Sequence, residues 1–178
     1  MTNSPVSRGA LCNAIVNSDI DRVRKLLDEG ADPNAKDTYG NVPLLYAASR
    51  SLEIVELLVD KGADPDIKSF AGGTPIKSCI LAGASVIHRK MHADILRFLI
   101  GKGANINKID ADGKTALAWA NAVGNTEAIK IIKQTLGDRR VLKSGRTRAE
   151  EEFHNTASKR QAALNSLRST VIIRKNIP

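Results

Sequence analysis

The chain has 178 residues, of which 42% are hydrophobic and only 3% are aromatic, and its formal net charge is +8. This length allows one domain with a sizeable core plus an appendage. Two cysteines are too few for a disulfide framework, which favours a reducing compartment. The sequence contains neither an apolar signal-peptide core nor a membrane-spanning segment. We therefore expect a cytoplasmic protein without a membrane span, and secretion into a host cell stays open as an alternative.

The positive charge is concentrated at the C-terminal end. Residues 1–137 contain 17 Lys and Arg against 15 Asp and Glu, whereas residues 138–178 contain 10 against 4. The body of the chain is thus nearly neutral. The high isoelectric point alone is therefore a poor reason to assign nucleic-acid binding to the whole chain.

A glycine-centred phrase recurs along the body of the chain. It reads GADPN at residues 30–34, GADPD at 62–66 and GANIN at 103–107, with spacings of 32 and 41 residues. Ten residues after the first glycine of each copy stands a second glycine, which is Gly40, Gly72 or Gly113. Self-similarity at such a period is typical of a stacked repeat array.

The phrases divide the chain into four units, at about residues 9–36, 37–68, 69–109 and 110–137, preceded by a tail at 1–8. In the third unit Thr74-Pro75 can start a helix, with a hydroxyl at the N-cap and proline in the first turn. Apolar residues at helical spacing then precede each glycine phrase, as in ILRFLIGKGAN. Each unit therefore predicts two helices followed by a glycine-capped turn.

These units resemble ankyrin repeats, in which Gly-x-Thr-Pro-Leu and Ala-Ala precede Ile-Val-x-Leu-Leu and Gly-Ala-Asp. The resemblance covers roughly residues 9–137, about three quarters of the chain. It implies an all-α solenoid of stacked helix-turn-helix units joined by β-hairpin loops. The histidine that follows Thr-Pro-Leu in the family is missing, because Leu45, Lys77 and Ala118 stand there.

The repeat pattern fails in two places. The third unit is eight residues longer than the usual 33, and the excess falls at residues 84–91, as a longer loop or as extra helical turns. After Gly137 a basic extension, 138–178, is expected to be partly helical, because Thr147 can cap a helix with acidic residues in its first turns. The extension could dock on the last repeat, bind a partner or act as a targeting signal.

No catalytic, cofactor or metal motif emerges from the sequence. Gly113-Lys114-Thr115 resembles the end of a phosphate-binding loop, but Lys108 stands where that loop requires glycine. His88 and His92 have the i, i+4 spacing of a helical metal pair without a suitable further ligand nearby. We predict that the protein is not an enzyme and has no cofactor.

The resemblance implies that hairpin tips and first helices form a concave binding face. The predicted partner-binding residues are Lys36, Thr38, Tyr39, Asn41, Arg50, Lys68, Phe70, Leu81, Ile109, Asp112, Lys114 and Val123. A secondary candidate lies in the insertion and comprises Val86, Ile87, His88, Arg89 and Lys90. A basic cluster in the extension comprises Arg139, Arg140, Lys143, Arg146 and Arg148.

The predicted function is a monomeric protein–protein interaction module, acting as an adaptor, scaffold or effector-type binder. It is similar to the small ankyrin proteins that many cells contain and that intracellular bacteria and viruses direct against host proteins. The alternative is a tether to nucleic acid or to an anionic surface through residues 138–178. A structural spacer with no specific partner is a third interpretation.

Overall fold

The computed structural model describes residues 5–85 and 87–137, with side chains from Gly9 onward. Predictions for residues 1–4, for Val86 and for the basic extension at 138–178 lie outside the described residues. The chain divides into two units, Met1–Gln134 and Thr135–Pro178. Of the second unit only residues 135–137 are described, and they are helical.

The described part of the chain contains eight helices and no β-strand. Their bounds are α1 Pro5–Val16, α2 Ile20–Asp28, α3 Pro43–Ala48, α4 Leu52–Asp60, α5 Pro75–Ala82, α6 Arg89–Gly101, α7 Ala116–Ala122 and α8 at residues 126–137. Helix α1 begins at Pro5, four residues before the predicted start of the first repeat at Gly9. Proline suits that position because it lacks the N–H that a first-turn residue leaves unpaired.

The helices pack as pairs that stack along one direction. Within the repeats, α1 packs on α2, α3 on α4 and α5 on α6. Between repeats, the first helices α1, α3, α5 and α7 contact in series, and so do α2, α4 and α6. Fully buried aliphatic side chains such as Leu44, Ile54, Ile80 and Ile95 fill the space between them. The predicted all-α repeat solenoid is confirmed.

Side-chain caps start five of the described helices, which are α2, α4, α5, α7 and α8. The Thr74 hydroxyl accepts from the backbone N–H of Lys77 at 3.2 Å, and Thr115 and Ser51 cap α7 and α4 in the same way. Val42 begins α3 without a side-chain cap, but it is fully buried. Valine stands here at the position that threonine occupies in repeats three and four, so apolar burial replaces the capping hydrogen bond.

The glycine phrase links neighbouring repeats. Gly30, Gly62 and Gly103 follow the second helices with φ between +87° and +96°, a conformation that glycine adopts without strain. The last residue of one phrase then bonds the next phrase. The Asn34 side chain accepts from the N–H of Asp64 at 2.8 Å and donates to the carbonyl oxygen of Gly62 at 2.9 Å.

The predicted insertion consists of both a loop and added helix. Helix α5 ends at Ala82 and α6 begins at Arg89. Helix α6 has 13 residues, whereas α2 and α4 have 9 each. When Gly103 is aligned with Gly62, the added residues form one extra turn at the start of α6.

Candidate functional site

Three hairpin-shaped tips precede the first helices of repeats two to four, at residues 37–41, 69–73 and 110–114. Each tip is closed by a backbone hydrogen bond, from Asp37 to Asn41 at 2.8 Å, from Ser69 to Gly73 at 3.0 Å and from Asp110 to Lys114 at 3.1 Å. The side chain of the first tip residue also accepts from the N–H of the fifth. These bonds give each tip a fixed shape, although none of the described residues forms a β-strand.

The tips stack directly on one another. The backbone N–H of Phe70 donates to the carbonyl oxygen of Gly40 at 2.9 Å, and the Phe70 ring occupies the space that a Cβ at Gly40 would need. Ala111 lies against Gly72 in the same way. Phe70 and Ala111 occupy equivalent positions, two residues before the second glycine of their tips. One predicted contact residue, Phe70, therefore also packs on the preceding tip.

The tips leave large apolar side chains open to solvent. Tyr39 is 82% exposed, Phe70 76% and Ile109 57%. Leu81, on the neighbouring first helix, is exposed to a smaller extent, and Val123 is half-buried. Exposed apolar groups that adjoin one another on a fixed surface are typical of an interaction site.

Several predicted contact residues also have partners within the fold. The Asn41 amide donates to the Tyr46 hydroxyl at 3.0 Å. The Asp112 carboxylate pairs with Lys77. Thr38, Arg50 and Lys114 are exposed, and Lys36 and Lys68 are half-buried.

An aromatic and ionic cluster, which the sequence analysis missed, lies between repeats three and four. The Trp119 indole donates to the Asp110 carboxylate at 2.6 Å, and Lys77 Nζ lies 3.0 Å from the same oxygen. Lys77 and Lys114 place their ammonium groups 4.2 and 4.3 Å from the centroid of the Trp119 ring. Aligning the tips would have revealed the Asp110–Trp119 pair, because repeat two has Asp37 and the aromatic Tyr46 at the same two positions. In the structure Tyr46 and Asp37 bond at 2.8 Å.

The ionisation of this cluster is fixed at neutral pH. Burial disfavours the Asp110 carboxylate, but hydrogen bonds from the Lys114 backbone, Trp119, Lys77 and the Asp112 backbone outweigh it and lower its pKa to about 2. Burial likewise opposes the charge of Lys77, but its bonds to Asp112 and Asp110 prevail and raise its pKa. Neither group titrates near neutrality, so the cluster provides fixed charges rather than proton transfer.

The insertion forms a separate surface beside the second helices. Ile87 is 82% exposed, and Leu52, His88, Lys90 and Met91 line a shallow groove nearby. Lys90 is exposed, whereas Arg89 is half-buried. His92 is buried in α6, with Nδ1 2.9 Å from the carbonyl oxygen of His88.

The two thiols lie in the core. Cys12 and Cys79 are both buried, and burial is the main cause that raises the pKa of each to about 12. Neither supplies a thiolate at neutral pH. Across residues 5–85 and 87–137, no group of three or more His, Cys, Asp or Glu side chains is arranged to hold a metal ion. None of the helices in these ranges is long and apolar enough to cross a membrane.

The stacked helix pairs, the glycine-capped turns and the projecting tips define an α-helical repeat solenoid. The sequence model of one family, described as "Ankyrin repeats (3 copies)", matches residues 2–69. The chain is also similar to "Neurogenic locus notch homolog protein 2" of Homo sapiens and of Mus musculus, with 33% identity over 112 residues in each case. That alignment covers 63% of this chain and 4% of each relative. The chain thus contains ankyrin repeats, which are generally protein–protein interaction modules.

Proposed function

We propose that the chain is a non-enzymatic interaction module that captures a partner protein on its tip face. The tip face consists of the three hairpin tips and the adjoining ends of α3, α5 and α7. The observation that carries the proposal is the exposure of Tyr39 and Phe70, at 82% and 76%, on adjacent tips. Aromatic side chains of this kind supply a large part of the energy of many interfaces.

The fixed shape of the tips supports the proposal. Tyr39 donates its backbone N–H to the Asp37 carboxylate at 2.9 Å, and Phe70 is held by its bond to Gly40. The backbone on which both rings stand is therefore ordered before a partner arrives. Preorganisation of this kind lowers the entropic cost of association.

In this proposal the chain acts in the cytoplasm as a monomeric adaptor, scaffold or effector-type binder without a cofactor. The basic segment 138–178 supports a second candidate, a tether to nucleic acid or to an anionic surface, because it holds 10 basic and 4 acidic residues. A tether loses its binding when residues 138–178 are removed, and its affinity falls steeply with salt. Capture on the tip face survives the removal of residues 138–178.

The experiment uses peptides selected from a displayed random library on the full-length chain. Their dissociation constants are measured for wild type, for Tyr39→Ala with Phe70→Ala, and for Ile87→Ala as control. Ile87 is as exposed as Tyr39 but lies on the insertion. We expect the double variant to bind at least about tenfold more weakly and the control to match wild type. Equal binding by the double variant would contradict capture on the tip face.

Phe70→Ala is a fair test because the fold tolerates alanine at that position. Ala111 occupies the equivalent place in the next tip and packs on Gly72. The variant therefore removes the exposed ring and preserves a tip geometry that the chain already uses. A thermal melt of the double variant checks that the array stays folded.

A further inference from the structure

We infer that the tip face recognises an acidic segment that carries a bulky apolar side chain. This inference rests on the proposed function, because it names the chemistry of the partner for the same surface. It follows from four cations, called the tip cations: Lys36, Lys68 and Lys114 at the tips, and Arg50 just beyond the C-terminal end of α3. Within the described part of the chain, none of them forms an ion pair with a carboxylate.

Two of the tip cations contact the next tip through neutral groups. Lys36 Nζ lies 4.4 Å from the centroid of the Phe70 ring. Lys68, at the equivalent position one repeat further on, donates to the carbonyl oxygen of Ile109 at 2.8 Å. Each ammonium group is thereby positioned beside an exposed apolar side chain, and its charge is not neutralised.

The other two tip cations also have neutral partners. Lys114 Nζ lies 4.3 Å from the centroid of the Trp119 ring, and Arg50 Nη1 donates to the Ser49 hydroxyl at 3.2 Å. Both side chains are exposed. A partner carboxylate can therefore reach them without breaking an ion pair.

The cations at the ends of the second helices are different. They pair with carboxylates of the preceding repeat, Lys61 with Asp28 at 2.7 Å and Lys102 with Asp60 at 3.2 Å. These pairs recur at equivalent positions in successive repeats. Cations without an ion pair are thus a feature of the tip face and not of the ends of the second helices.

The three carboxylates of the tips offset the four tip cations only in part, because Lys77 already pairs with two of them. Asp37 accepts from the Tyr46 hydroxyl at 2.8 Å and from two backbone N–H groups of its own tip. Lys77 pairs with both Asp110 and Asp112. What the tip face presents to a partner is positive charge interleaved with apolar side chains. Such a surface is complementary to carboxylates that flank an apolar residue.

An acidic peptide fits this surface better than single-stranded nucleic acid does. Nucleic-acid sites of that kind stack bases on open aromatic faces. Here Lys77 and Lys114 lie over the Trp119 ring, while the Phe70 ring packs on Gly40 with Lys36 above it. Phe70 is 76% exposed, but a cation lies over its ring and the preceding tip packs against it. Among the described tips, Tyr39 is then the one ring without such contacts, and one ring does not make a stacking path.

The test begins with the sequences of the library peptides selected on the full-length chain. We expect enrichment of Asp and Glu together with a large apolar residue. In a synthetic selected peptide, replacing Asp by Asn and Glu by Gln should weaken binding by at least about tenfold. The same loss is expected when Lys36, Lys68 and Lys114 are all changed to Gln.

The matched control changes Arg24, Lys130 and Lys133 to Gln, which removes the same charge from exposed positions on helices α2 and α8. We expect the control to bind within about twofold of wild type, because exposed charges far from the contact are screened. An equal loss in both triple variants would overturn the inference, since it would indicate a dependence on net charge alone.

The outcomes separate the inference from the proposed function. If the selected peptides need Tyr39 and Phe70 but are not acidic and do not respond to the lysine changes, the inference fails and the proposed function stands. If they bind the Tyr39→Ala, Phe70→Ala variant as tightly as wild type, the proposed function fails.

A competition experiment tests nucleic acid as the ligand. If a mixed-sequence single-stranded DNA of about 20 nucleotides displaces the selected peptides, and its own binding requires Lys36, Lys68 and Lys114, nucleic acid replaces the acidic peptide. A selection that enriches no peptide also counts against the inference.

Discussion

The Trp119 indole N–H donates to the buried Asp110 carboxylate at 2.6 Å, and this bond ties helix α7 to the tip that precedes it. The second carboxylate oxygen accepts from the backbone N–H groups of Asp112 and Lys114. Lys77 reaches the same carboxylate from the previous repeat. The tip of repeat four is therefore held by its own helix and by its neighbour. Its stability and its shape depend on the same few bonds.

Trp119→Phe removes the indole donor and keeps most of the ring. We expect the free energy of unfolding to fall by about 1–3 kcal/mol, because a buried carboxylate loses one of its donors. Denaturant unfolding of the full chain measures the change. A variant as stable as wild type would show that the indole bond contributes nothing.

Asp110→Asn should reveal the depressed pKa of this carboxyl. Its pKa lies near 2 in the folded chain, below the ordinary value of 3.8, so the ionised form stabilises the fold above about pH 4. That contribution, about 2 kcal/mol, is lost as the pH falls through the folded pKa. The stability difference between wild type and variant should therefore stay constant above about pH 4 and shrink between about pH 4 and pH 2. A difference that does not change with pH across that window would contradict this account.

Gly40→Ala should be more harmful than Gly113→Ala. Both glycines have positive φ, +76° and +71°, so alanine adds backbone strain of about 1 kcal/mol at either site. At Gly40 the new methyl group would also overlap the Phe70 ring, whereas nothing lies within 4 Å at Gly113. We expect a further loss of about 1–3 kcal/mol at Gly40 alone.

The origin of that further loss is tested by a double-mutant cycle. Adding Phe70→Ala to Gly40→Ala removes the overlap with the ring atoms but keeps the Phe70 Cβ 2.6 Å from the new methyl group, so the double variant should recover part of the additional destabilisation. Denaturant unfolding of the four proteins gives the coupling free energy. Additive effects would mean that the two residues do not contact in solution.

Asn34→Ala should weaken the junction between repeats one and two. The Asn34 side chain bonds both Asp64 and Gly62 of the next repeat, and we expect a loss of about 1 kcal/mol. Asn107 occupies the equivalent position in the third phrase, and its side chain is exposed. Asn107→Ala is therefore the control and should change stability little. Hydrogen exchange of the first repeat provides a second readout, because a weaker junction exchanges faster.

The sequence was sufficient to predict the repeats because their signals are local. The glycine phrases mark the turns, Thr74-Pro75 marks a helix start, and the count of residues between phrases located the insertion at 84–91. Counting from the same glycines also identified Tyr39 and Phe70 as tip residues. These predictions needed only periodicity and the conformational preferences of glycine and proline.

The contacts between repeats were beyond that reasoning. Lys77 meets Asp112 across 35 positions of sequence, and Phe70 meets Gly40 across 30. Such contacts depend on the distance and angle at which successive repeats stack, and periodicity does not specify either. Asp110 and Trp119 are closer in sequence. Their pairing could have been found by comparing them with Asp37 and Tyr46.

Amide chemical-shift mapping of the isotope-labelled full chain with a selected peptide tests capture on the tip face most directly. We predict that the largest shifts fall in residues 36–41, 68–73 and 109–114, and that they disappear in the Tyr39→Ala, Phe70→Ala variant. Shifts concentrated on the second helices, around Ile87 or within residues 138–178 would contradict the proposed site.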